Sequence, residues 1–190
     1  MAMADAERFQ PSTIIDWHDW LASHHDQGAG VWVVIWRPSS AQPQLSYDEL
    51  VREALCWGWV DGQARPLDEQ RSMLWFTKRK PNSPWAATNK ARVADLEREG
   101  RLQPAGLAEI DRAKANGMWT VLDSVEALEE PAELRAALDV IPAARTNWDG
   151  FPRSVRKQAL ASIALAQRPE TKAKRIATIV AASADGIRPA

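Results

Sequence analysis

Apolar positions recur along the chain with two different periods, and the switches between them lay out the elements. Over residues 12–25, Ile14, Trp17, His18 and Leu21 fall on one side of a helical wheel, with Ser12 placed to cap it. Gln27-Gly28-Ala29-Gly30 breaks that pattern. Val31–Trp36, VWVVIW, is apolar throughout and rich in β-branched and aromatic residues, which predicts a central strand covered on both faces. Ser46-Tyr47-Asp48-Glu49 is a capping box, in which the Ser46 hydroxyl accepts the Glu49 N–H and Glu49 reaches back. Leu50, Val51, Ala54 and Leu55 continue that helix, and Gly58 suits a left-handed exit. Residues 59–67 and 71–80 then read as strands around Asp68-Glu69-Gln70, a loop short enough for a hairpin.

Helical spacing returns afterwards. Ser83-Pro84 offers an N-cap followed by proline, predicting a helix as far as Gly100, and a second begins near Pro104 and stops at Asn116-Gly117. Residues 118–130 read as a connector with Trp119 and an acidic patch. Three further stripes follow: Leu134, Leu138 and Ile141; then Val155, Ala159 and Ile163 behind Ser154; then Ala173, Ile176, Ala177 and Val180 behind Pro169. Residues 1–11 read as a loose arm. The expected class is α+β: a small antiparallel sheet of about three strands packed with helices, followed by a basic helical segment. The expected division is residues 1–130 and 131–190, the second packed on the first.

Composition narrows the classes. Of 190 residues, 45% are hydrophobic and 26% charged, enough for a core without metal or disulfide staples. A net charge of -1 argues against a surface wholly devoted to nucleic acid or membrane. Cys56 is the one cysteine, so no intramolecular disulfide forms and a reducing compartment fits. The N-terminus lacks a basic segment followed by an apolar run, and no stretch approaches a membrane span, so a cytoplasmic protein is expected. Ten tryptophans against one tyrosine and three phenylalanines is the unusual feature. They build a core, a ligand cleft, or both.

Residues 56–85 hold four of the ten and are the expected site. A hairpin centred on Glu69 sets Gln63 opposite Trp75, Asp61 opposite Thr77 and Trp59 opposite Arg79. Alternation then places these six and Arg65 on one face, with Val60, Ala64, Leu74 and Phe76 on a core face. Trp85 and Asn89, at helical spacing behind the hairpin, extend the array. Such a face suits a planar or anionic ligand, with tryptophan stacking, arginine pairing and Asp or Gln orienting; it also suits a solvated sheet surface.

A nucleic-acid surface is the alternative, built on Lys78 and Lys80 with Arg153, Arg156, Lys157, Lys174 and Arg175; residues 153–188 carry eight Lys/Arg against two acids. Catalysis has less behind it. Cys56 ends a helix, where the dipole disfavours a thiolate, and no nucleophile elbow, phosphate loop, metal-ligand spacing or cofactor motif is present. Asp61 is the one candidate acid or base, and no catalytic residue is assigned.

The runs EALCWGWVDGQ (53–63), WFTKRKPNSPWAATN (75–89), GRLQPAGL (100–107), WDGFPRSVRKQ (148–158) and AQRPETKAKRI (166–176) are together similar to the YdeI/OmpD-associated family of bacterial proteins, also called bacteriocin-protection proteins. Phe151 stands in the usual aromatic slot; Ala161-Ser162-Ile163 replaces an expected Trp-Ile pair. The resemblance implies a role in protection from bacteriocins or antimicrobial peptides and a link with an outer-membrane porin, and carries over no catalytic residues; a stacking cleft with no nucleophile favours a non-enzymatic protein. Three readings stay open: a small molecule or peptide held in the tryptophan cleft, nucleic-acid binding by the basic helices, and an enzyme using Asp61.

Overall fold

The computed structural model describes residues 6–189, which divide between Asn116 and Gly117 into two compact units. The first is α+β. Its four-stranded sheet has the order β1 (Arg8–Phe9), β2 (Val31–Trp36), β4 (Arg71–Lys78), β3 (Trp59–Pro66). The run VWVVIW is central, as its all-apolar pattern predicts, and buried over Val31–Val34. Four strands form rather than three because the N-terminal arm joins in. The Glu7 carbonyl accepts the Trp32 N–H at 2.9 Å, β1 runs parallel to β2, and Phe9 stacks on Trp17 and Trp20. The sheet is therefore mixed, with its other pairings antiparallel.

Helices α1 (Ile14–His24) and α2 (Tyr47–Cys56) supply the core of this unit. Thr13, not Ser12, caps α1 and forms a capping box with Asp16. Ser46 and Glu49 cap α2 in the expected way. Trp17 is fully buried against Phe76 with ring centroids 5.3 Å apart, and its indole N–H donates to the Leu50 carbonyl at 3.1 Å, joining α1 to α2. Helices α3 (Ala87–Arg98) and α4 (Pro104–Ala115) complete the unit. The start signal at Ser83-Pro84 is overridden. The chain stays extended through Ala86 because Trp85 is buried under the Arg79 guanidinium, 3.7 Å from its ring, and Arg79 also donates to the Pro84 carbonyl at 3.3 Å.

The hairpin register departs from expectation at one place. Near the turn, Ala64 pairs with Leu74, Arg65 with Met73 and Pro66 with Ser72, as a loop centred on Glu69 requires. A bulge between Asp61 and Ala64 then adds a residue to β3, so Asp61 pairs with Phe76, Val60 with Thr77 and Trp59 with Lys78. Each of these is one residue off the expected pairing, and side chains beyond the bulge change faces. Trp59 turns inward to 0% exposure, its indole N–H donating to the His25 carbonyl at 2.9 Å.

The second unit is helical: α5 (Asp123–Glu126), α6 (Ala132–Asp139), α7 (Pro142–Gly150), α8 (Arg153–Ala164) and α9 (Pro169–Ala184). Its core gathers Leu134, Leu138, Trp148, Leu160 and Ile176 among others. The stripe through Leu134, Leu138 and Ile141 belongs to two helices, because Ile141 precedes a proline and adopts φ -119, ψ 95 before Pro142 opens α7. On α9, Ile176 and Val180 face inward, whereas Ala173 and Ala177 are exposed and floor an apolar groove of about 580 Å³ beside Ala137 and Ile141. Among the described residues no helix is long and apolar enough to cross a membrane.

Candidate functional site

The nine residues expected to form one ligand site separate into five settings. Trp59 is core. Arg79, 5% exposed, lies over Trp85 and ties the end of β4 to the start of α3; burial brings its pKa down to about 10, against the opposing charges of Asp61 and Glu109. Its Nε is buried with no partner, and no carboxylate among the described residues lies within ion-pair reach of it. The stacked indole and the single carbonyl therefore hold this cation, which works as an internal staple.

Asp61 and Asn89 fall in a polar cluster at the N-terminal end of α2. Asp61 accepts the Tyr47 hydroxyl at 2.5 Å, and burial followed by that carboxylate pushes the Tyr47 phenol up to about 12. Arg92 bonds Asp48 at 2.8 Å and Asn89 at 2.9 Å, its guanidinium 6.0 Å from the Tyr47 ring. Gln63 and Arg65 are exposed and bonded to each other at 2.8 Å, with Arg65 5.3 Å above the Trp32 ring.

Trp75 and Thr77 remain together on β4 and line a cleft of about 550 Å³ with Gly28, Ala29, Gly30, Lys80 and Ala6. The Trp75 ring is seated by two glycines. A Cβ added at Gly30 would lie 2.2 Å from Trp75 Cζ2 and 2.7 Å from the Phe76 carbonyl oxygen, and one at Gly62 would lie 3.1 Å from Trp75 Cδ1. Trp32 braces the ring at 5.2 Å and 60°. The bulge that spoils the expected face thus supplies, through Gly62, half of the seat that fixes this tryptophan. Sequence reasoning found Trp75 and Thr77 by strand alternation. It missed Gly30, whose signal was a glycine directly before the most apolar strand, where close backbone approach is called for.

The candidate nucleic-acid residues are largely engaged within the protein. Lys78 pairs with Asp26 at 3.0 Å and Lys157 with Glu126 at 2.6 Å. Arg153 donates to the Glu126 carbonyl and Arg175 to the Ser162 carbonyl, and the Nε of Arg156 is buried. Lys174 and Lys80 are exposed. Ten Lys/Arg face nine Asp/Glu over residues 117–190, so the charge excess of residues 153–188 is nearly neutralised within its own unit.

A further network escaped the sequence reading altogether. Glu53, buried at 5% exposure, meets His18 Nδ1 at 2.7 Å, Arg101 Nη2 at 2.8 Å and the Trp57 indole N–H at 3.2 Å. Satisfied on both oxygens, it joins α1, α2 and the segment before α4. Cys56, close by, donates to the Arg52 carbonyl, and burial pushes its thiol up to about 12. Among the described residues no three His, Cys, Asp or Glu side chains are grouped to hold a metal.

Residues 9–109, more than half of the chain, match a family described as a domain of unknown function, DUF8412. Residues 127–186 match the family described as bacteriocin-protection, YdeI or OmpD-associated. The chain belongs to the first family and carries a YdeI/OmpD-associated domain over residues 127–186. No curated protein and no solved structure matches it. The division follows the architecture. The α+β unit carries the domain of unknown function, and the helical unit carries the YdeI/OmpD-associated domain. The motifs at 53–63, 75–89 and 100–107 therefore lie in the former, and only the last two runs, 148–158 and 166–176, lie in the YdeI/OmpD-associated domain.

Proposed function

We propose that the protein is a non-enzymatic binding protein that receives a small molecule or the end of a peptide in the Trp75 cleft, in the bacteriocin-resistance or stress setting that the family description suggests. One observation carries this reading: a cleft of about 550 Å³, within the usual range for small ligands, lined by a half-buried tryptophan that two glycines hold in place. A rigid aromatic wall loses little freedom on binding, which is why such walls recur in recognition sites.

The chemistry elsewhere favours binding over turnover. The Cys56 thiol is buried and stays protonated, and Asp61 is occupied by the Tyr47 hydroxyl. Neither is arranged as a free nucleophile or base. The nucleic-acid reading loses support because most of its cations are already engaged. The test is a ligand screen followed by intrinsic fluorescence, comparing wild type with Trp75→Phe. A ligand that quenches wild type and binds Trp75→Phe at least tenfold more weakly is the expected result. Hits that bind both proteins equally well remove this cleft from the account.

A further inference from the structure

We infer that the Trp75 cleft selects acids: its ligand is a small planar molecule bearing a carboxylate or comparable oxyanion, held by the juxtaposed Trp75 indole N–H, Thr77 hydroxyl and Lys80 ammonium. The inference rests on the reading of this cleft as a ligand site and adds the chemistry of what enters it.

Three polar side chains line the cleft, and all three donate. The indole N–H is a donor only, the ammonium carries three donors and no acceptor, and the hydroxyl serves either way. Among the described residues none that lines the cleft is acidic. None of the three polar side chains is engaged by another described residue. Their neighbours behave otherwise. Lys78, two residues before Lys80, is paired with Asp26 at 3.0 Å. Five other tryptophans give their indole N–H to an acceptor: Trp17 to the Leu50 carbonyl, Trp20 to Glu7, Trp57 to Glu53, Trp59 to the His25 carbonyl and Trp148 to Glu130. Buried and half-buried indoles ordinarily find such a partner. Among the described residues neither Trp75 nor Trp36 gives its indole N–H to an acceptor, and of these two Trp75 lines this cleft.

The ring's seat makes that open donor a directed one. The indole nitrogen sits on the ring edge between Cδ1 and Cζ2, the atoms placed against Gly62 and Gly30. An edge pinned at both ends presents its N–H in one direction, so an acceptor meets a preorganised group. A purely apolar ligand would desolvate the three donors without replacing their hydrogen bonds, and a cation would meet Lys80 with no carboxylate to offset it. An oxyanion satisfies all three, and a planar body behind it stacks on the tryptophan.

Matched pairs test this: 2-naphthoate against 2-naphthamide and benzoate against benzamide, titrated calorimetrically into wild type, Lys80→Gln and Trp75→Phe. Within a pair the acid is expected to bind at least tenfold tighter than the amide. The preference should shrink as salt rises and fall to within about twofold in Lys80→Gln. Equal binding of acid and amide to wild type, lost in Trp75→Phe, overturns the acid preference while leaving the cleft a ligand site. Binding of neither member of either pair, or binding indifferent to Trp75→Phe, overturns both.

Discussion

The two units pair most of their charges alike and differ in one sector. In the helical unit, several charged side chains are matched to one another. Arg145 forks onto Glu130 at 2.8 and 2.9 Å and also pairs with Asp149; Lys157 pairs with Glu126, and Lys172 with Glu133. Even its core indole is used, Trp148 donating to Glu130 at 2.8 Å. In the α+β unit, which has eight of the ten tryptophans, the indoles of Trp17, Trp20, Trp57 and Trp59 are likewise partnered, and one sector is left open. There Trp75, Thr77 and Lys80 line a cleft with donors that no described residue takes up. Matched groups stabilise a fold. Unmatched donors held rigidly are what a ligand can use, so the contrast separates scaffold from site more sharply than burial does.

Substitutions can break that contrast at either end. The largest effect is expected from Trp148→Ala, which empties the helical core and strips Glu130 of a donor; about 4 kcal/mol of stability should be lost, read as a lower urea midpoint in circular dichroism. Gly30→Ala comes next. Its methyl group cannot coexist with the Trp75 ring and the Phe76 carbonyl where they stand, so about 2–3 kcal/mol should be lost, together with any ligand response at Trp75.

Glu130→Gln should cost about 2 kcal/mol by weakening charge-assisted bonds to Arg145 and Trp148. It carries a pH signature as well. The Arg145 hydrogen bonds hold the Glu130 carboxyl below its ordinary 4.5, so its stabilisation is complete above that value and lost as pH falls through the lower folded pKa. Wild type should therefore lose stability on acidification below about pH 4.5, and Glu130→Gln should lose less over the same interval; parallel curves would show that the pair does not couple to folding. Lys80→Gln, at the other end of the contrast, should change stability by less than about 0.5 kcal/mol while abolishing the acid preference.

What was legible in the sequence was whatever short-range chemistry decides. The Ser46–Glu49 capping box needs only four residues to agree, and Val31–Trp36 declares a central strand through its own composition. The bulge at Gly62-Gln63 was not legible, since it depends on where Trp75 comes to rest between Gly30 and Gly62. One extra residue there sent Trp59 into the core and dispersed the expected face, leaving Trp75 and Thr77 as the members that line the cleft. The parallel strand β1 was hidden for the same reason: it exists because Trp32 has an N–H to give to Glu7. Glu53 read as one more charge on a helix, and only the approach of His18 and Arg101 from distant segments makes it a buried hub.

The most direct test follows the indole N–H resonances, of which the chain's ten tryptophans provide ten, in proton–nitrogen NMR spectra during titration with 2-naphthoate, with Trp75→Phe assigning the signal concerned. The account predicts that the Trp75 resonance moves downfield and saturates as its open N–H gains an acceptor, while those of Trp59 and Trp148, already bonded to His25 and Glu130, stay in place. A stationary Trp75 signal, or equal movement of all three, would contradict it.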